Sequence, residues 1–242
     1  MKTYLCLSSL LFVLFSAVAG AVELPVHTDF NSDVIGLPPA TGGPDQPTAL
    51  VQSPGTFITV EASAFGLFDQ PVVVDSPNAE YVTVNWIFPE VGSGTVRCEA
   101  TVAADRLLDG YFVQTASAAD AVGARLLFLG SGEIRDQQSN TVVGFYSALS
   151  PFRVRLDIQP ATEEYCATID DEMNGFDDDP RYCGIPVLNS GNFFPIAAFY
   201  GSLNPVAPAA IAYDDILIEI SPGIFADDFE AGDLSVWSTT VP

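Results

Sequence analysis

The heptapeptide Phe152-Arg-Val-Arg-Leu-Asp-Ile158 alternates strictly between apolar and charged side chains. A period of two puts Phe152, Val154, Leu156 and Ile158 on one face and Arg153, Arg155 and Asp157 on the other, the pattern of a half-buried β-strand. The segments on either side repeat it. Downstream, Glu164–Asp170 turns Tyr165, Ala167 and Ile169 inward and Glu164, Cys166 and Thr168 outward. Upstream, Gly94–Val102 sets Val96, Cys98, Ala100 and Val102 against Arg97, Glu99 and Thr101. Further strands are expected over Thr56–Ala64, Glu80–Phe88, Gly110–Thr115, Ala124–Leu129, Thr141–Tyr146, Phe193–Tyr200 and Ile211–Ile220, with Gly94 to Ala103 as one unit. Clusters of Gly, Pro, Asn and Asp punctuate the spaces, as in Gly130-Ser-Gly132. Gly36 to Pro54 reads as an ordered loop, and Ala116–Ala121 as a helical turn at most. About ten short strands without a long helix predict an all-β chain, an antiparallel two-sheet sandwich. No repeat of 20–50 residues is visible, which excludes a solenoid or propeller.

The N-terminus carries an export signal. Lys2 precedes the apolar run Leu5–Phe15, and Ala17-Val-Ala19 and Ala19-Gly-Ala21 both fit a small-x-small cleavage site. The run is too short for the ~20 residues that span a bilayer, and no later segment reaches that length, so no transmembrane segment is expected after cleavage. Three parts are therefore expected: a signal peptide over 1–21, one domain over 22–220, and an acidic C-terminal tail over 221–242. The tail, Ile224-Phe-Ala-Asp-Asp-Phe-Glu-Ala-Gly-Asp233 onward, lacks the hydrophobic stretch and basic end of a retained anchor.

All 31 acidic residues follow the signal, whereas the only lysine is Lys2. The remainder holds seven arginines, giving a net charge of 7 − 31 = −24. Such a surface repels nucleic acid, whose binding depends on neutralising phosphates, and attracts divalent cations. Cys98, Cys166 and Cys183 remain after cleavage. Strand parity turns Cys98 inward and Cys166 outward, so a Cys166–Cys183 disulfide is expected, with Cys98 left free.

Taken in order, Asp29-Phe-Asn-Ser-Asp33, Val82-Thr-Val-Asn-Trp-Ile-Phe88, Gly110-Tyr-Phe-Val113, Ala124-Arg-Leu-Leu-Phe-Leu-Gly130, Phe152–Ile158 and Ala212-Tyr-Asp-Asp-Ile-Leu-Ile218 resemble the concanavalin A-like (laminin G-like) jelly-roll superfamily of secreted bacterial proteins. The resemblance covers residues 25–220. It implies a jelly roll of the kind used by lectins, carbohydrate-binding modules, adhesion domains and glucanases, so fold alone does not fix function. It also implies a structural calcium between the opening and closing strands, corresponding to Asp29 and Asp215.

A second metal candidate is read from the residues. Asp170, Glu172, Asn174, Gly175, the Phe176 carbonyl and Asp178 fall at the opening positions of a calcium-binding loop of EF-hand type. Arg181 occupies the slot of its bidentate glutamate, and a solvated acidic hairpin is the competing reading. Catalysis finds little support. His27 is the sole histidine, and Ile169-Asp-Asp-Glu172 lacks the preceding glutamate of a glucanase strand. Sugar binding needs aromatic platforms with polar neighbours. The candidates are Tyr111, Tyr146, Tyr200 and Tyr213, with Arg153 and Asn192 as hydrogen-bonding partners. The expectation is a secreted, non-catalytic jelly roll that binds an extracellular glycan or surface polymer and is stabilised by calcium. A structural component of an extracellular matrix or surface layer is the alternative, and a glycoside hydrolase the third.

Overall fold

A computed structural model describes residues 23–117, 121–188 and 195–221. The expected signal peptide, the expected acidic tail beyond residue 221 and Asn192 lie outside the described residues. In chain order the strands are β1 (Val26–Thr28), β2 (Ala49–Gln52), β3 (Phe57–Val60), β4 (Val72–Ser76) and β5 (Val82–Val91). There follow β6 (Thr95–Ala104), β7 (Tyr111–Ala116), β8 (Val122–Phe128), β9 (Glu133–Asp136) and β10 (Val142–Phe145). The series closes with β11 (Phe152–Gln159), β12 (Glu164–Asp170), β13 (Arg181–Pro186), β14 (Ile196–Leu203) and β15 (Ala209–Ser221).

The strands form two antiparallel sheets. Sheet A runs β13-β12-β11-β6-β15-β4-β3, with β1 also on β15; sheet B runs β10-β9-β8-β7-β14-β5-β2. β15 lies along β6 on one side and is met on the other first by β4, then by β1. A bulge between Asp214 and Leu217 marks the changeover, and Asp215 sits there at φ 48°. The extra residue bends the strand between its two short partners.

The core lies between the sheets. The heptapeptide behaves as its alternation dictates: Phe152, Val154, Leu156 and Ile158 are buried in it, and Phe152 packs on Phe128 of sheet B and on Tyr146. Trp86 packs on Phe30 and Phe199 and donates its indole N–H to Thr28 Oγ1 at 3.1 Å, so the large ring is buried without an orphaned donor. Gly201 has a packing reason. A Cβ there would stand 2.9 Å from the Tyr213 ring, which crosses from sheet A and donates its hydroxyl to the Ser202 carbonyl of sheet B.

Several boundaries differ from the sequence reading. The 36–54 segment contains β2, which pairs with β5. β3 ends at Val60, and residues 61–70 fold over the outward face of sheet A, where Leu67 packs on Val73, Ala103 and Ala212. That cover explains why β4 is apolar on both faces and shows no alternation. Ala116 ends a strand, and Ser117 N–H donates to the Ala121 carbonyl at 3.0 Å; the rest of the proposed helical turn lies outside the described residues.

Candidate functional site

On sheet B, Val82, Val84 and Trp86 of β5, Tyr111 and Val113 of β7 and Ala124 and Leu126 of β8 face the core. The intervening residues form the outward face. Registers across the strands align them in two rows. One row reads Gln137, Arg125, Gln114, Tyr200, Asn85, and the other reads Arg135, Leu127, Phe112, Ser202, Thr83. Thr83, Asn85, Gln114, Tyr200 and Ser202 are all less than 9% exposed. Three of them satisfy one another, as buried polar groups must: Thr83 Oγ1 lies 2.7 Å from Ser202 Oγ and 2.8 Å from Asn85 Oδ1.

Arg125 is fixed at one end of this floor. Its Nε donates to Gln114 Oε1 at 2.6 Å and its Nη1 to Gln137 Oε1 at 2.8 Å. The guanidinium centre is 5.0 Å from the Phe112 ring centroid, a cation–π contact. Tyr81, 36% exposed, and Asn204 complete an open groove of about 350 Å3 lined also by Gln114, Leu127 and Gln137. A groove of aromatic faces, amides and one guanidinium can pack apolar C–H surface and hydrogen-bond hydroxyl groups at once.

Sequence reasoning placed Gln114 and Arg125 in strands but did not bring them together. Their polar character at alternating positions was the available signal, whereas the cross-strand register that aligns them is a long-range property. Of the aromatic candidates, only Tyr200 reaches this face. Contrary to the expectation of exposed platforms, Tyr111, Tyr146 and Tyr213 are each buried between the sheets with the hydroxyl on a protein acceptor. Those acceptors are Asp105 Oδ1 at 2.5 Å, the Leu129 carbonyl at 2.9 Å and the Ser202 carbonyl at 3.2 Å. Burial pushes the Tyr146 phenol up to about 12. Arg153 is on sheet A, across the molecule from the groove.

The outward face of sheet A is an ion-pair ladder. Asp157, almost fully buried, accepts from Arg97 Nε at 2.8 Å and Arg181 Nη2 at 3.0 Å; Glu99 accepts from Arg155 Nε at 2.8 Å. Arg155 and Arg153 cover the Phe176 ring at 4.0 and 5.0 Å. Next to this ladder, Cys166 and Cys183 form a disulfide, and Cys98 is a free, buried thiol whose pKa burial raises.

The acidic loop between the two half-cystines is organised by hydrogen bonds. Asp170, fully buried, accepts the N–H groups of Asn174 at 3.1 Å and Gly175 at 2.9 Å, and Glu172 accepts from Asn174 Nδ2 at 3.2 Å. The Phe176 carbonyl accepts from Asp179 N–H, closing a 3₁₀ turn that contains Asp178. At the other proposed ion site, Asp29 follows β1 and lies near the bulge of β15. Asp214 there is 3% exposed, and its carboxyl is raised to about 7 by burial and by the charges of Asp215, Asp69 and Asp29. Thr101 Oγ1 donates to Asp215 Oδ2 at 3.3 Å. Among the described residues, no three His, Cys, Asp or Glu side chains converge so as to hold a metal ion. His27 is exposed, with its backbone N–H on Asp45. Among the described residues no helix is long and apolar enough to cross a membrane.

No protein-family model matches the sequence, and a search of curated proteins finds no match. Solved structures do resemble the fold. A sialidase aligns with a TM-score of 0.54 and 11% identity over 71% of this chain; the chain spans 17% of the length of that protein. A protein of unknown function, SO2946 from Shewanella oneidensis MR-1, aligns with a TM-score of 0.52 and 11% identity, covering 87% of this chain and 92% of the other. Lectin II from Ulex europaeus aligns at 0.47 with 8% identity over 81% and 99% of the two chains. These likenesses show the fold alone, a two-sheet β-sandwich of the concanavalin A-like jelly-roll type, in line with the order of motifs in the sequence.

Proposed function

We propose that the protein is a secreted, non-catalytic carbohydrate-binding jelly roll whose binding surface is the outward face of sheet B. The observation that carries the reading is the groove there, where Tyr81 and Phe112 stand beside the amides of Gln114, Gln137 and Asn204. Sugars present both apolar C–H faces and hydroxyl groups, and this mixture of rings and amides meets both. The non-catalytic part has support in the lining, which contains no Asp or Glu among the described residues; glycoside hydrolysis runs on two carboxylates flanking the scissile bond. Secretion is supported by the signal-like N-terminus and by the disulfide, which persists in an oxidising compartment.

The test is a glycan array probed with the exported protein, followed by titration of the best binder. Tyr81→Ala is expected to weaken binding about tenfold by removing one ring face. No glycan signal, or a signal that Tyr81→Ala and Gln114→Ala both leave intact, would sink the reading. Self-association without any glycan signal would support a structural role in a surface layer instead.

A further inference from the structure

Seven arginines follow the signal in a chain with 31 acidic residues. Six of them have a carboxylate oxygen within 3.8 Å: Arg97, Arg106, Arg135, Arg153, Arg155 and Arg181. Arg125 has none among the described residues. The two oxygens that hold it, from Gln114 and Gln137, are neutral amides, so they fix its plane without cancelling its charge. Its side chain is partly withdrawn from water, and burial lowers its pKa, a loss that the Tyr81 phenol offsets only in part. A guanidinium carries five N–H donors, and the Nη2 end of this one donates to no described residue. The group is thus rigid, desolvated on one side, and has donors to spare at the edge of the groove.

We propose that the groove selects an acidic saccharide, with a sugar carboxylate supplying the counter-charge that Arg125 lacks. This rests on the carbohydrate-binding reading and narrows its ligand class. A planar carboxylate matches the fork of a guanidinium with two parallel hydrogen bonds, and a partly desolvated arginine strengthens them. The adjacent Phe112 and Tyr81 rings would take the sugar body. The charge of −24 opposes the approach of long polyanions, so the fitting ligand is a short oligosaccharide or chain end with one or a few carboxylates. The same repulsion makes salt helpful: screening weakens the long-range term more than the contact at Arg125.

The experiment is calorimetric titration of the mature protein with oligosaccharides in matched pairs. Trigalacturonate, trimannuronate and sialyllactose are each compared with their methyl esters, and a sulfated trisaccharide serves as a second anion. The free acid of at least one pair is expected to bind about tenfold more tightly than its ester. Arg125→Gln should bring that ratio close to one, with the melting temperature reported alongside. If Arg125→Gln does not fold, Arg125→Lys keeps the charge but loses the fork, and should lower the ratio at least about threefold. Esters that bind as well as their acids overturn this inference and leave the carbohydrate reading intact. So does a ratio that survives both substitutions, or a sulfated sugar preferred over every carboxylate. No binding by any acid or ester counts against the inference and the carbohydrate reading together.

Discussion

Asp214 shows how much one residue can bring to the pH dependence of this chain. It lies opposite Thr101 at the bulge of β15, is buried, and three other aspartates bear on it. Its carboxyl, ordinarily near 3.8, is raised to about 7 in the fold. The folded state therefore holds a proton there that the unfolded chain releases, and stability falls as pH rises between about 4 and 7. The loss amounts to roughly 2–4 kcal/mol at pH 8. In chelator-treated protein, Asp214→Asn is expected to remove this slope: the variant should melt higher than wild type at pH 8 but not at pH 4.5. Parallel curves at all pH values would mean that Asp214 stays ionised in the fold. The sequence showed the Tyr-Asp-Asp-Ile motif, but not that Asp214 would be buried on the outward face of sheet A beside a bulge, since a local pattern shows neither.

At the scale of elements, the strands that sequence made legible are those with one wet face. β11, β12 and β6 alternate cleanly because sheet A carries its ion-pair ladder outward, and their parity was enough to pair Cys166 with Cys183 and set Cys98 apart. β4 was not legible. Val72-Val-Val74 is covered on both faces, and prolines 71 and 77 bracket it, so it carries neither the period nor the length of a half-buried strand. β2 is four residues inside a stretch rich in Gly and Pro, and β13 is a largely exposed edge strand. The disulfide anchors that edge. Its half-cystines are 17 residues apart, which corresponds to about 3 kcal/mol on chain-entropy grounds. Reduction is expected to lower the melting temperature and to release amide hydrogen exchange first in Arg181–Pro186, ahead of β11 and β6. Simultaneous release of all three strands would show that the bridge holds the whole sheet.

For the whole molecule, charge and topology set the terms. The self-repulsion of −24 is long-ranged and screened by salt, whereas the Arg97–Asp157–Arg181 pairs are short and partly buried. Raising sodium chloride from 10 to 300 mM is thus expected to lift the melting temperature by about 3–6 °C. A fall would show that the ladder outweighs the repulsion. Composition made that global charge legible, but the groove on sheet B was not, since its two rows are assembled from β5, β7, β8, β14 and the end of β9 by registers no local pattern encodes. Topology has a consequence for synthesis. The last two strands of the described chain, β14 and β15, each take an interior place: β14 between β7 and β5, β15 between β6 and β4. A nascent chain that has emerged only as far as β13 leaves β7 and β5 without the strand they share, and β6, β4 and β1 without theirs. Sheet B cannot be completed until Leu203 has emerged, nor sheet A until the end of β15, and until then these open edges are what a holding chaperone has to cover.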